Sequence, residues 1–193
     1  MRRAHLVGPI HGALLKELFT RDGSGTLISR DMYEGARPAK ESDLRSILDI
    51  IRPLEEEGIL VHRTSEEILS DISNVFLLTR DGSTLACGML KRYSDTHAEV
   101  ACLAVHPQYR RNGRGETLLA YLERRALIMG VTHIFLLSTR TMQWFEERGF
   151  KLSDPTVLPP NRAYNTKRGS KVYIKELGTQ RDVEVEELLW DIT

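Results

Sequence analysis

Between Val105 and Glu116 the chain reads Val-His-Pro-Gln-Tyr-Arg-Arg-Asn-Gly-Arg-Gly-Glu, set between a β-like run and a helical pattern. A loop of this kind presents successive backbone N–H groups at a helix start, where the helix dipole favours an anion such as a diphosphate. Gly113 and Gly115 carry no Cβ and let a ligand approach the main chain. Arg111 and Arg114 add positive charge. Two other phosphate loops fit poorly. A Walker A loop needs Gly-Lys-Ser/Thr where the chain has Gly113-Arg114-Gly115-Glu116, and a dinucleotide loop needs a third glycine where it has Leu118. On spacing alone, the stretch also reads as a helix reached through a flexible turn.

A second chemistry-bearing residue is Glu99, a carboxylate inside the β-like run His97–Val105, where it can take a proton from an amine directly or through water. Burial would raise its affinity for that proton, while a surface glutamate at a strand start is the plain alternative. Cys102 shares the run. No histidine is paired with it by motif, so packing or substrate contact is expected rather than nucleophilic attack, and Cys87 reads as core. Two cysteines make neither a disulfide framework nor a four-ligand zinc site, and the six histidines show no His-Glu-x-x-His spacing. No metal is expected. Arg162 and Lys167 lie between Pro159 and Lys171, within reach of approaching a carboxylate, although a solvated loop charge is the plainer reading.

The elements that must hold these groups follow from pattern. Leu44, Ile47, Leu48 and Ile51 repeat at helical spacing, and Pro53 breaks or kinks that run. Thr64-Ser65-Glu66-Glu67 is a capping box opening a helix through Ile68 and Ile72. Asn74–Thr79 and Leu85–Arg92 are β runs around an Asp81-Gly82 hairpin turn. Gly115–Met129 carries Leu118, Leu119, Leu122, Ala126 and Met129 on one stripe, and Gly130 stops it. Ile134–Leu137 is a short apolar strand, Met142–Arg148 a short helix and Lys171–Glu176 a final strand. This order implies an α/β fold with a mixed sheet between helices on both faces. Ahead of it, residues 1–36 suggest a strand near His5, a helix through Ala13–Leu18, a glycine turn at 21–25 and a strand at Thr26–Ser29, with too little apolar material for a core. The boundary is expected near Arg37-Pro38, and residues 179–193 read as an acidic surface tail.

Composition narrows the partners. The 193 residues hold 27 Lys+Arg and 27 Asp+Glu, a balance unlike that of a protein built to bind nucleic-acid phosphates. No apolar run approaches the roughly 20 residues of a membrane span. The start, Met1-Arg2-Arg3-Ala4-His5, lacks the apolar segment of a secretory signal. A reducing compartment, and a small molecule or a partner as the ligand, are the expectation.

With that context, Arg110, Gly113 and Gly115 resemble in register the Arg/Gln-x-x-Gly-x-Gly/Ala coenzyme motif of the GNAT N-acetyltransferases. Trp144-Phe145-Glu146-Glu147-Arg148-Gly149-Phe150 resembles the family's aromatic-x-x-x-Gly-Phe ending, and roughly residues 37–177 follow its element order. Within that family the chain is similar to the N-acetylglutamate synthases at Ile51–Arg63, Glu99–Val105, Leu137–Thr141, 144–150 and Arg168–Lys171. Those synthases carry an N-terminal amino-acid-kinase-like domain, whose end residues 1–36 resemble, leaving 37–178 as the acetyltransferase domain.

The resemblance implies a GNAT fold and acetyl transfer from acetyl-CoA to the α-amine of L-glutamate, the first step of arginine biosynthesis. It implies that Arg110, Arg111, Asn112, Gly113, Arg114, Gly115 and Glu116 cradle the coenzyme, with Leu103, Ala104 and Val105 beside it. A backbone N–H of the Cys102–Val105 stretch is expected to receive the oxyanion. Arg63 and Arg168 match the glutamate-binding positions, where guanidinium groups suit carboxylates, and Ser170, Val61 and Cys102 are further contacts. Glu99 is the expected base. Phe145 stands where many relatives have an acidic tyrosine, and Ser138 matches a position proposed for the acid, with solvent as the alternative. The resemblance also implies a cytoplasmic or plastid-stromal enzyme, and a homo-oligomer or a partner supplying the kinase-like domain. Two other functions remain in view: acetylation of a different amine, and a non-catalytic acetyl-CoA-binding regulatory subunit. Arginine insensitivity is expected of a chain with so short a kinase-like segment.

Overall fold

A computed structural model describes residues 3–20, 23–29, 34–110 and 112–178; Arg111 and the expected tail at 179–193 lie outside them. The chain divides into two compact units between Gly35 and Ala36. In the first, β1 (Arg3–Leu6) and β2 (Thr26–Ser29) pair antiparallel, with α1 (Ala13–Phe19) between them in sequence. The Glu17 carboxylate accepts from the amides of Ser24 and Gly25, each at 2.8 Å, and bonds the His5 ring. Of this unit's described apolar side chains, Ala13 is buried, while Leu14, Leu15, Leu18 and Phe19 are exposed.

In the second unit, β3 (Glu34–Pro38) spans the division and leads to α2 (Leu44–Glu56) and α3 (Ser65–Ser70). Then come β4 (Val75–Arg80), β5 (Ser83–Arg92), β6 (His97–Val105), α4 (Arg114–Ile128) and β7 (His133–Ser138). Last are α5 (Met142–Glu146), β8 (Lys151–Ser153) and β9 (Lys171–Glu176). The sheet order is β3-β4-β5-β6-β7-β9-β8. The β6/β7 pair is parallel, and the β4/β5, β5/β6, β7/β9 and β8/β9 pairs are antiparallel. Sequence pattern does not foretell β3 or β8. Both are short strands at the sheet's two ends, held by a neighbour rather than by apolar alternation.

Each face of the sheet has its own core. On one, Leu118, Leu119, Leu122 and Ala126 of α4 pack with Phe76, Leu78, Leu90 and Val100. On the other, Ile47, Ile50, Ile51 and Leu54 of α2 pack with Ile68, Leu77, Met89 and Ala104. Thr64 caps α3 as expected, its hydroxyl accepting from Glu67 N at 3.2 Å while Glu67 accepts from Thr64 N at 2.8 Å. Pro53 does not end α2, which continues to Glu56, so losing one amide donor near the C-terminus is tolerated. Asp81 and Gly82 both take positive φ, as a tight hairpin turn requires.

Two irregularities in β6 prepare the site. First, Ala86 and Cys87 pair with Val105 and Ala104, but Met89 pairs with Ala101, so Cys102 and Leu103 together face Gly88. This is a β-bulge, and Cys102 sits in it at φ 50°, a conformation uncommon for a residue with a side chain. The bulge inverts the alternation. Ala98 and Val100 face the α4 core before it, Leu103 and Val105 after it, and consecutive Ala101 and Cys102 both turn to the α2 side. Second, β6 and β7 pair only from His97–His133 to Glu99–Phe135, although the strands run on to Val105 and Ser138. Beyond Glu99 the strands part.

Candidate active site

Where the strands part, a cleft of about 410 Å³ opens. Its lining draws on the 59–63 segment, β5, β6, the end of β7 and the 162–170 loop. Six of the residues singled out from sequence meet there: Val61, Arg63, Glu99, Cys102, Arg168 and Ser170. Arg63, Lys91, Arg162 and Arg168 supply four cationic side chains, against the carboxylates of Asp71 and Glu99. Lys91 and Asp71 are themselves paired, at 2.9 and 3.0 Å. The excess is positive.

Each arginine is fixed by its surroundings. Arg63 Nη1 lies 2.7 Å from Cys102 Sγ. Its backbone is gripped from α2: the amide donates to Glu55 Oε1 at 3.1 Å, and Arg52 Nη1 donates to its carbonyl at 2.9 Å. Arg168 Nη2 donates to the Ile59 carbonyl at 2.9 Å, tying the loop before β9 to the segment after α2. Ser170 is buried, and its carbonyl accepts from the Tyr164 hydroxyl at 2.5 Å. Burial raises the Cys102 thiol above its ordinary range, with Arg63 opposing, which disfavours the thiolate that nucleophilic attack would need. Cys87 is buried, and burial raises its thiol as well.

Glu99 is 5% exposed, which removes the surface alternative. Its partner is the residue that sequence reasoning set aside. Arg162 is no solvated loop charge: its Nε and Nη2 lie 2.6 and 2.7 Å from the two Glu99 oxygens. A signal for this contact did exist in the chain, since a buried carboxylate on a central strand needs a counter-ion. What spacing could not supply was a partner 63 positions away. Tyr93 lines the same wall, its hydroxyl pushed up to about 12, chiefly by burial and then by the Glu99 charge.

Ser138 stands apart from the other candidates. It is not among the cleft-lining residues, and its hydroxyl donates to the Arg140 carbonyl.

The loop before α4 meets the other side of β6. Gly113 is the N-cap at φ 72°, supplies no side-chain acceptor to the first turn, and has open space where a Cβ would stand. A Cβ at Gly115 would touch Val105 Cγ2 at 3.4 Å and Trp144 Cζ2 at 3.5 Å, so the glycine keeps that approach narrow. Such a cradle suits a diphosphate on the main chain. Arg110 and Asn112 are exposed, and Arg110 Nε bonds the Val105 carbonyl at 3.4 Å. Arg114 departs from the role of a phosphate-facing cation: it is buried, and its guanidinium lies over the Tyr109 ring. Glu116 pairs with Arg148 at 3.1 Å. Ala104 is buried, and Leu103 and Val105 pack against the α4 core. Among the described residues no group of three or more His, Cys, Asp or Glu could hold a metal, and no helix is long and apolar enough to cross a membrane.

The sheet splays beside a helix N-terminus with a bulged strand between them, and residues 40–150 match the acetyltransferase (GNAT) family. The chain belongs to that family. More particularly, it is 46% identical over 182 residues to an amino-acid acetyltransferase of Actinobacillus pleuropneumoniae serotype 5b, covering 92% of this chain and 42% of the relative. A relative of the same name from Azotobacter vinelandii is 48% identical over 179 residues, covering 91% and 41%. Among solved structures, N-acetylglutamate synthase from Neisseria gonorrhoeae complexed with coenzyme A and N-acetyl-glutamate aligns with TM-score 0.69 and 39% identity, over 86% of this chain and 40% of that one. The same enzyme complexed with coenzyme A and L-arginine aligns with TM-score 0.75 and 37% identity, over 92% and 41%. The chain thus spans about two fifths of the length of these relatives.

Proposed function

We propose that this chain transfers the acetyl group of acetyl-CoA to the α-amine of L-glutamate. The observation that carries the reading is the cleft itself, with Glu99 on its floor among Arg63, Arg162 and Arg168, opening where β6 leaves β7. A substrate with two carboxylates and one amine matches that charge pattern, whereas a cationic amine would meet repulsion. The relatives' names and the N-acetyl-glutamate complex of the Neisseria enzyme support the same substrate.

In this reading the main chain from Arg111 to Glu116 binds the coenzyme diphosphate, and Arg63, Arg168 and Ser170 hold glutamate. Glu99 accepts a proton from the substrate ammonium. The freed amine attacks the thioester carbonyl, whose oxygen gains negative charge and takes a hydrogen bond from a β6 amide near the bulge. The strained conformation of Cys102 supports that assignment, because bulges turn backbone groups away from the ladder. The C–S bond breaks and coenzyme A leaves as a thiolate, which takes its proton from solvent or from Ser138, while the acylated nitrogen releases its second proton to solvent. Residues 1–36 are read as the end of a kinase-like domain, supported by the exposed apolar side of α1.

A thiol-release assay with acetyl-CoA tests the reading across L-glutamate, other amino acids and a polyamine. Release with glutamate and its absence with the polyamine is the expected pattern. Acetyl-CoA binding with no turnover of any amine would favour the regulatory-subunit alternative.

A further inference from the structure

Glu99 is covered in the form described above. The guanidinium fork of Arg162 occupies the open edge of its carboxylate, at 2.6 and 2.7 Å, so an ammonium arriving there meets a cation before it meets a base. The two partners are held unequally. Glu99 sits in the middle of the sheet, opposite Lys91 of β5 and Phe135 of β7. Arg162 sits in an irregular stretch between short turns at Pro155–Val157 and Thr166–Arg168, where its Nη1 bonds the adjoining Ala163 carbonyl. If the pair opens, Arg162 is the side that moves.

Opening it without replacement leaves a buried carboxylate and a half-buried guanidinium unpaired, which is strongly unfavourable. A lone amine replaces one partner and a lone carboxylate the other. A zwitterion with an ammonium beside a carboxylate replaces both at once. We propose that the Arg162–Glu99 pair is a latch that an α-amino acid opens by exchanging partners, its α-carboxylate taking Arg162 and its ammonium taking Glu99. The proton then passes from nitrogen to Glu99: one N–H bond breaks, one O–H bond forms, and ammonium and carboxylate become amine and carboxylic acid. Arg162 is thereby a specificity-determining residue that rejects amines lacking a neighbouring carboxylate before chemistry begins. The proposal rests on the acetyl-transfer reading for its consequence and on the ion pair for its geometry.

The test compares L-glutamate with L-isoglutamine, which keeps the amine and γ-carboxylate but lacks the α-carboxylate. The unaltered chain is expected to prefer glutamate in kcat/KM by about 100-fold or more, because the missing group leaves buried partners unpaired. In Arg162→Gln the preference falls by about tenfold or more, and Arg162→Lys retains part of it. An unchanged preference in Arg162→Gln, with both substrates slowed alike, overturns the latch and makes Arg162 a fixed support for Glu99. If Arg162→Gln does not fold, the neutral pair Arg162→Gln with Glu99→Gln removes the buried charge and serves for binding measurements: loss of discrimination between the two ligands supports the latch, and retained discrimination overturns it. Crystals of the unaltered chain with L-glutamate supply a readout free of turnover. The latch predicts Arg162 Nε more than about 4 Å from Glu99, beyond ion-pair range. Glutamate bound with the pair intact, or no glutamate bound, overturns it. Glutamate that opens the pair but is not acetylated leaves the latch standing and removes the acetyl-transfer reading alone.

Discussion

In the proposed function the loop ahead of α4 draws its anion-binding groups from one short stretch, 110–116, and from the main chain rather than from side chains. The cleft beside it draws side chains from Arg63 to Ser170, more than half the chain apart. The loop depends on conformation, above all on the positive φ of Gly113. The cleft depends on side chains held by groups far along the chain: Glu55 and Arg52 grip the Arg63 backbone, carbonyls of the 58–59 turn hold Arg168, and Glu99 and Arg162 hold each other. A backbone site tolerates almost any side chain at its non-glycine positions. A side-chain site tolerates few changes, because removing one group strands another.

That difference orders the expected effects of substitution. Glu99→Gln removes the proton acceptor and strands Arg162, and we expect kcat with glutamate to fall by about 10²-fold or more, with a smaller change in glutamate KM. Unchanged kcat in a stopped assay at saturating substrate removes Glu99 from the mechanism. Arg168→Ala removes a carboxylate partner and the tie to the Ile59 carbonyl, and raises glutamate KM by about 10–100-fold while acetyl-CoA KM stays within about twofold. Equal rises in both constants erase the division between cleft and loop. Gly113→Val forces a branched side chain to φ 72°, a strain of about 1–2 kcal/mol that should appear as roughly a tenfold rise in acetyl-CoA KM. If glutamate KM responds instead, the loop is no separate site. The smallest effect belongs to Thr64→Ala, which removes the α3 cap beside Arg63 and lowers stability by about 1 kcal/mol in urea unfolding, with kcat nearly unchanged.

Much of the architecture is legible along the chain, because periodicity is local. The α4 stripe, the capping box at Thr64 and the Asp81-Gly82 turn all stand within one residue of their expected places. The edge strands β3 and β8 are not legible, since an edge strand of three to five residues is made by its neighbour. The bulge at Cys102 leaves a trace that is readable only in retrospect: the alternation of His97–Val105 changes phase at Ala101-Cys102. Arg162 is the clearest case in which the fold selects the less expected of two readings. A charged residue in a polar loop looks solvated from its sequence neighbours, and only a buried carboxylate elsewhere makes it otherwise.

Residue order by itself determined the helices, the hairpin and the glycine turn ahead of α4, because each rests on contacts or motifs spanning a few positions. Tertiary structure alone decided that Arg114 turns inward, that Ser138 stands off the cleft, and that Arg162 rather than solvent faces Glu99. The reason is electrostatic. A charge taken out of water must find a partner wherever the fold has brought one, and distance along the chain places no limit on where that is.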